Sequence, residues 1–383
     1  MKQITLGSLF DGSGGFPLAG ALNGITPLWA SEIEPYPLRV TAARFPDMAQ
    51  LGDVTQIDGA AIAPVDIITF GSPCQDLSIA GGQRGIREGT RSSLFFEAIR
   101  IIREMREHDE TAGRAAFNVR PRFSVWENVP GAFSSGGGSD FRAVLENLAA
   151  VAADRVSIPG PPAGRWAGAG CVVGDGWSIA WRTYDAQYWG VPQRRRRIYL
   201  VADFGSERAG EILFERESMR GNHTQGRPER ETAPADAARS PGRGGRARSI
   251  TVYDARGNGD GKTAPTLTGD HSRRVSDYTA LCIGNGQLNQ MSMAEQANTL
   301  DCMHDQQAVL TDGKPPRKYI VRRLTPLECC RLQGFPDWWE DGVEGSDTAR
   351  YKMWGNGIAL PCAADVLRRI AKEVRGDGQT NSF

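Results

Sequence analysis

The sequence has no long apolar run and no surplus of charge, and each absence excludes a class of protein. No stretch approaches the roughly 18 apolar residues that a membrane-spanning helix needs, and the first residues predict a strand rather than a signal peptide. The 45 basic and 45 acidic residues cancel, so any nucleic acid must be bound by a local patch and not by the field of the whole chain. We therefore expect a cytoplasmic protein that makes no membrane contact.

Paired cysteine motifs are also missing. The seven cysteines are odd in number, widely scattered and without a C-x-x-C pair, which argues against a disulfide framework and against a zinc site. We expect reduced thiols that serve mainly in packing, and no metal. At 383 residues the chain is long enough for one large and one small domain.

One cysteine follows a predicted buried strand. The β-branched run Val65–Phe70 predicts that strand, and Gly71-Ser72-Pro73-Cys74-Gln75 comes directly after it. In open α/β sheets reactive groups gather at the carboxyl ends of strands, and Pro73 stiffens the turn that presents the thiol. Taken alone, such a cysteine is more often a small buried hydrophobe than a nucleophile. The glycine-rich segment 78–93 that follows is predicted to be a mobile flap.

The first strand ends in a glycine turn. Strand 4–10, the turn Asp11–Phe16 and a helix near 18–22 form the layout in which backbone approaches a bound nucleotide. The dinucleotide fingerprint requires a third glycine where Pro17 stands, so that motif is absent. Such a turn alone is as often only a tight turn.

Two acidic residues strengthen the nucleoside interpretation. Glu32 follows the predicted strand 27–30, about twenty residues after the glycine turn, where a carboxylate accepts ribose hydroxyls. Asp53 follows a third short segment and suits an adenine amine. Either acid alone is equally explained as a solvated loop residue.

Two further strand ends carry ionisable groups. Strand 123–126 leads into Glu127, a candidate acid whose alternative role is to cap a helix that starts near Asp140. Strand 197–202 begins within the run of arginines at 194–197. Because side chains alternate along a strand, Arg195 and Arg197 should point together, which suits substrate or phosphate binding. The other interpretation of this run is a solvated basic face.

The composition changes near residue 205. Residues 221–249 predict a linker or exposed arm, and 250–310 carry a weak repeat typical of duplicated hairpins. Further along, Thr325 should cap a helix that has Pro326 at its first position and ends at Gly334. The motif at 355–361 should open a last helix, whose free amides would suit an anion or a cofactor.

With these pieces the sequence resembles the DNA (cytosine-5) methyltransferases over residues 1–204 and 319–383. Seven short motifs occur in the order of that family, including F-x-G-x-G-G at 10–15, P-C-Q at 73–75, E-N-V at 127–129 and Q-x-R-x-R at 193–197. The resemblance implies an α/β Rossmann-like methyltransferase sheet in 1–204. It places a smaller, mostly irregular or β target recognition domain with a linker in 205–318, and a return to the catalytic domain in 319–383. Gly357 departs from the family, which often has Ser there.

The resemblance also implies the site residues. Cys74 would attack cytosine C6, Glu127 would donate to N3, Arg195 would hold cytosine O2 and the Cys74 region, and Arg197 would brace Glu127 or a phosphate. The residues expected at S-adenosylmethionine are Phe10, Asp11, Gly12, Ser13, Gly14, Gly15, Glu32, Ile33, Asp53, Val54, Pro73, Leu94, Asn356 and Gly357. Those expected at DNA are Gln75, Ile79, Gln83 and Gln193.

Double-stranded DNA is the expected partner, with the target cytosine flipped out of the stack. A monomer suffices for this reaction, and a cognate restriction endonuclease acting separately is a partner that the sequence leaves open. A transfer-RNA cytosine-5 methyltransferase shares the motifs but has a shorter middle region than 205–318. A nicotinamide oxidoreductase has no use for the thiol and acid, and a non-catalytic DNA-binding protein would not need them.

Overall fold

The computed structural model describes residues 3–72, 94–161, 163–214 and 324–376, together with the backbone of short strands between 253 and 323. Several sequence-based predictions lie outside the described residues: the flap 78–93, the linker 221–249, most of the hairpin repeat, and Pro73, Cys74, Gln75, Ile79 and Gln83.

A central sheet of eight strands organises the fold. Its strands are β1 (Ile4–Leu9), β2 (Ile25–Ser31), β3 (Ala49–Gln50), β4 (Ile67–Phe70), β5 (Phe123–Asn128), β6 (Ala169–Gly174), β7 (Trp177–Asp185) and β9 (Arg196–Asp203). They lie in the order β3-β2-β1-β4-β5-β9-β7-β6. β1 to β5 are parallel, whereas β9 is antiparallel to β5 and β7 is antiparallel to β9. The carboxyl ends of β1, β2, β4 and β5 therefore share one edge with the start of β9.

Short strands lie apart from this sheet. β8 (Gln193–Arg194) pairs in parallel with β12 (Ala297–Asn298). β10 (Tyr253–Asp254) pairs with β11 (Thr279–Ala280), and β13 (Ala308–Thr311) pairs with β14 (Ile320–Arg323), both antiparallel.

Helices cover both faces of the sheet. They are α1 (Gly15–Ala21), α2 (Pro35–Arg44), α3 (Leu94–Thr111), α4 (Ser139–Ala149), α5 (Ala209–Leu213), α6 (Pro326–Leu332), α7 (Asp347–Asn356) and α8 (Leu360–Arg375). One core joins α3 and α4 to the sheet, and a second joins α1, α5 and the three helices after 324 to the other face. Burial of these apolar surfaces is the main stabilising term, at about 25 cal/mol per Å². Among the described residues no helix is both long and apolar enough to cross a membrane.

The predicted fold class is confirmed, and most predicted strands lie where they were expected. Thr325 caps α6 in a reciprocal capping box with Glu328, and Gly334 has the positive φ of 79° that ends the helix. The predicted last helix is present, but it begins at Leu360, late in the 355–361 motif, because Gly355 and Asn356 belong to the end of α7. α2, α7 and β6 were not predicted, because α2 and α7 have weakly amphipathic surfaces and β6 alternates between half-buried and exposed positions on the edge.

Candidate active site

The chain before Cys74 is tied to the end of β5. β4 and β5 are parallel with Phe70 opposite Trp126. Trp126 Nε1 donates to Ser72 Oγ at 3.1 Å, and Asn128 Nδ2 donates to Ser72 O at 3.1 Å. Ser72 is buried, so these two bonds fix the peptide two residues ahead of Cys74.

The Glu127 carboxyl lies at this point, as the sequence predicted for a strand-end acid. Glu127 is buried in β5, and a Cβ on Gly71 would lie 3.5 Å from its Oε2. Burial raises the pKa of Glu127, while the charges of Arg197 and Arg195 act to lower it. The alternative role as a helix cap is wrong, because the N-cap of α4 is Gly138, with no side-chain cap.

Among the described residues, Arg197 is the cation that pairs with this carboxyl. Its Nε lies 3.2 Å from Glu127 Oε1, although the alignment is not that of a hydrogen bond. Within the described part of the chain, Glu127 Oε1 accepts no hydrogen bond. The carboxyl is thus held electrostatically and keeps a hydrogen-bonding position open, as a group that exchanges a proton with substrate requires.

Arg195 is buried and points to a different part of the protein. Its Nη2 donates to Gly357 O at 2.6 Å and approaches Gly355 O at 3.4 Å. Burial and the neighbouring Arg197 lower the pKa of Arg195 to about 9, whereas Glu127 acts to raise it. Both arginines therefore lie near Glu127 as alternation predicted, but Arg195 also binds the carboxyl end of α7 and the adjoining Gly357.

The glycine turn has the backbone expected of a close approach to a ligand. Phe10 has φ 56°, which is strained for a bulky residue. Gly12 has φ 58°, and a Cβ there would meet no heavy atom within 4 Å. Glu32 Oε2 accepts from Gly12 N at 2.7 Å, and its Oε1 accepts from the amides of Ile33 and Glu34. Backbone amides thus orient the Glu32 carboxylate. Each of its oxygens can accept more than one hydrogen bond, so lone pairs remain available for a ligand.

The other predicted cofactor residues surround this turn unevenly. Ile33 is exposed, and Asp53 is exposed with its Oδ1 accepting from Thr55 N at 2.9 Å. Gly52 beside it has φ 71° and open space at its Cβ position. Val54 is buried in a core, so its side chain is a packing residue. Leu94 begins α3, half-buried at the flank of the same core.

Asp11 differs from the acids Glu32 and Asp53 in being buried. Ser8 Oγ donates to its Oδ1 at 2.6 Å, while Oδ2 is enclosed and has no hydrogen-bond partner within the described structure. Burial raises the pKa of Asp11 to about 8; the Ser8 bond opposes this and Glu32 adds to it. The group is therefore largely protonated near neutral pH.

Residues from beyond 324 close over the turn. Trp339 Nε1 donates to Ser13 O at 2.8 Å, and a Cβ on Gly15 would lie 2.5 Å from Ile358 Cγ1. Gly357 is buried against Ser13, whereas Asn356 is exposed. Gly15 is required here because any side chain would displace Ile358. Trp339 and Ile358 were not predicted, since no local pattern links them to the turn.

Gln193, which the sequence analysis expected at DNA, lies in the interior of the described structure. It is fully buried, and its Nε2 donates to Leu332 O at 3.3 Å. Gln333, which was not predicted, is also fully buried and donates to Trp354 O at 2.7 Å. These amides hold α6 and α7 against the catalytic edge.

The arrangement fits a nucleoside cofactor at the same edge of the sheet as Glu127. The open, side-chain-free positions at Gly12 and Gly52 flank the oriented Glu32 carboxylate. Among the described residues there is no group of three or more His, Cys, Asp or Glu side chains that could hold a metal. The described cysteines, Cys171, Cys329, Cys330 and Cys362, are free thiols.

Solved structures share this fold. A putative DNA modification methyltransferase encoded in an Escherichia coli prophage matches over 97% of this chain and 100% of its own, with 16% identity and a TM-score of 0.51. The Schizosaccharomyces pombe Dnmt2 methyltransferase matches over 97% and 99%, with 14% identity and a TM-score of 0.54. These likenesses show that the chain has the fold of these methyltransferases.

Sequence comparison identifies the family. The model of the C-5 cytosine-specific DNA methylases matches residues 4–152 and 173–372, so the chain belongs to that family. The type II methyltransferase M.NlaX of Neisseria lactamica is 26% identical over 96% of this chain and 95% of its own length. M.HpaII of Haemophilus parainfluenzae is 26% identical over 97% and 90%. The chain is accordingly an enzyme that methylates cytosine C5 in DNA with S-adenosylmethionine as donor.

One relative is named for a different target base. A phage P1 protein described as a DNA N-6-adenine-methyltransferase is 28% identical over 98% of this chain, which spans only 62% of that protein's length. The remainder of the P1 protein lies outside the match.

Proposed function

We propose that Cys74, Glu127 and Arg197 carry out the transfer through a covalent adduct on a flipped-out cytosine. One observation carries this proposal: the buried Glu127 carboxyl lies at the end of β5, beside the anchored Ser72 that precedes Cys74 by two residues. Nucleophile and acid therefore come from adjacent parallel strands.

The first step is addition to the ring. The Cys74 thiolate forms a bond to C6, the C5=C6 π electrons move toward C5 and the ring, and N3 takes a proton from Glu127. A free thiol with pKa about 8.5 is only a few per cent ionised at neutral pH, but the thiolate is a strong nucleophile. Burial raises the pKa of Glu127, which favours the protonated form that can donate to N3.

Arg197 holds the acid in place during addition. Its Nε at 3.2 Å from Oε1 leaves other guanidinium donors for cytosine O2 or a phosphate. This assignment transfers the O2 contact from Arg195, whose Nη2 is engaged by the carbonyls of 355 and 357.

The second step is methylation and release. Bound S-adenosylmethionine would supply the methyl group to C5 and would leave as S-adenosylhomocysteine. Water takes the C5 proton, N3 returns its proton to Glu127, and departure of the Cys74 thiolate restores the C5=C6 double bond. Gly12, Glu32, Asp53 and the 356–358 segment hold the cofactor in this proposal.

The middle region is proposed to read the DNA. Residues 1–204 and 319–383 form the catalytic unit, 205–318 form the target recognition domain, and the segment 78–93 closes behind the flipped base. Gln75, Ile79 and Gln83 are proposed to reach the duplex. We also propose that the enzyme acts as a cytoplasmic monomer, and that any cognate endonuclease acts separately.

The test is transfer of labelled methyl groups to unmethylated duplex DNA, with transfer RNA in parallel. Digestion of the product and chromatography separate 5-methylcytosine from N6-methyladenine, a comparison that the adenine specificity ascribed to the P1 relative makes necessary. Label in 5-methylcytosine that disappears with Cys74→Ser, while cofactor binding is retained, supports the proposal. Label in adenine, in RNA alone, or undiminished in Cys74→Ser refutes it.

A further inference from the structure

The Arg195 guanidinium connects two parts of the chain that are distant in sequence. It leaves the catalytic edge between β8 and β9, and its Nη2 binds Gly357 O at 2.6 Å, 162 residues further along. The same nitrogen approaches Gly355 O at 3.4 Å. The side chain is only 3% exposed, so these contacts form inside the protein.

The segment that Arg195 binds is itself a wall of the cofactor turn. A Cβ on Gly357 would lie 3.0 Å from Ser13 Oγ, and Ile358 packs where Gly15 has no side chain. Ser13 Oγ is buried and has no hydrogen-bond partner within the described structure. On the side of Gly357, Ser13 Oγ is therefore held by close packing alone. Gly357 and Ile358 therefore pack closely against residues 13–15.

We propose that Arg195 is a positioning residue that fixes segment 355–357, and through it the cofactor turn, against the strand edge carrying Glu127. This inference rests on the proposed function, because the turn is taken to hold the cofactor. Arg195 acts through Gly357 and Ser13 and does not itself contact the base.

Arginine suits this position better than lysine. A guanidinium presents five donors in a planar fork, whereas an ammonium is a compact charge on a flexible stem. Lysine at 195 would keep the positive charge but would lose the fixed geometry that reaches two carbonyls. The conservative variant therefore separates geometry from charge.

The experiment compares Arg195→Lys with Arg197→Lys and with Arg196→Lys, an exposed neighbour in the same run. Binding of S-adenosylhomocysteine is measured by calorimetry without DNA, and kcat and KM for DNA are measured separately. We expect Arg195→Lys to raise the Kd for S-adenosylhomocysteine about tenfold or more. Arg197→Lys should keep that Kd within about twofold while kcat falls, and Arg196→Lys should change neither.

A second set of variants changes the contact between Gly357 and Ser13 directly. It does not depend on whether Arg195→Lys folds. Gly357→Ala places a Cβ against Ser13 Oγ and should raise the Kd for S-adenosylhomocysteine, and Ser13→Ala in the same chain should recover at least half of the loss. An unchanged Kd in Arg195→Lys with reduced kcat would overturn the proposal, as would additive effects of the Ser13 and Gly357 changes. Failure of the wild-type protein to bind S-adenosylhomocysteine would instead refute the proposed cofactor site.

Discussion

Replacing Asp11 with Asn tests whether a protonated carboxyl is built into the glycine turn. The folded protein raises the pKa of Asp11 from 3.8 to about 8, chiefly through burial. In the unfolded chain the same carboxyl ionises near its ordinary value. Between about pH 4 and pH 8 the folded state therefore holds one more proton than the unfolded state, and stability falls as pH rises.

The magnitude follows from linkage. One proton corresponds to about 1.4 kcal/mol in the free energy of unfolding for each pH unit, so the wild-type protein should lose about 3 kcal/mol from this group between pH 5 and pH 7. Asn cannot ionise, and its side-chain carbonyl can still accept the Ser8 hydroxyl bond that Asp11 Oδ1 accepts at 2.6 Å. The stability advantage of Asp11→Asn should therefore grow by about that amount over the same interval.

The assay is urea unfolding of both proteins at pH 5, 6 and 7, followed by fluorescence of the buried tryptophans. Taking the difference between the variants cancels the titration of all other groups. Asp53→Asn is the matched control for the loss of a carboxylate, because Asp53 is exposed on the same side of the sheet. If the Asp11→Asn curve is parallel to wild type, Asp11 is ionised in the folded protein and the reasoning from burial is refuted.

Three further predictions concern the acid and its supports. Glu127→Gln should lower kcat by about 10²- to 10⁴-fold and leave S-adenosylhomocysteine affinity unchanged; equal losses in both would show that Glu127 is structural. The wild-type rate should fall as pH rises through the Glu127 pKa. Because the charge of Arg197 lowers that pKa, Arg197→Gln should move the fall to higher pH. A shift to lower pH in the pH-rate profile would contradict this. Asn128→Ala should cost about 1–3 kcal/mol in urea unfolding and slow transfer by releasing Ser72, whereas unaltered kcat would mean that this anchor does not position Cys74.

Local patterns in the sequence predict much of this enzyme, because local chemistry determines them. A β-branched run closed by glycine predicts β4, and the capping box at Thr325 requires only residues three apart. Parallel strands place their carboxyl ends at one edge, so the strand-end position of Glu127 and the oriented Glu32 were also predictable. Each of these features depends on neighbours in sequence or on the sheet alone.

Tertiary structure decided the features that depend on distant contacts. Alternation along the strand predicts that Arg195 and Arg197 point to the same side. Only the docking of 355–357 against the sheet gives Arg195 the Gly357 carbonyl as its partner and leaves Glu127 to Arg197. The same docking buries Gln193 under α6 and makes the 355–357 motif the end of a helix. These outcomes join segments more than 130 residues apart in the chain, and packing between such segments leaves no periodic signal in the sequence of either one.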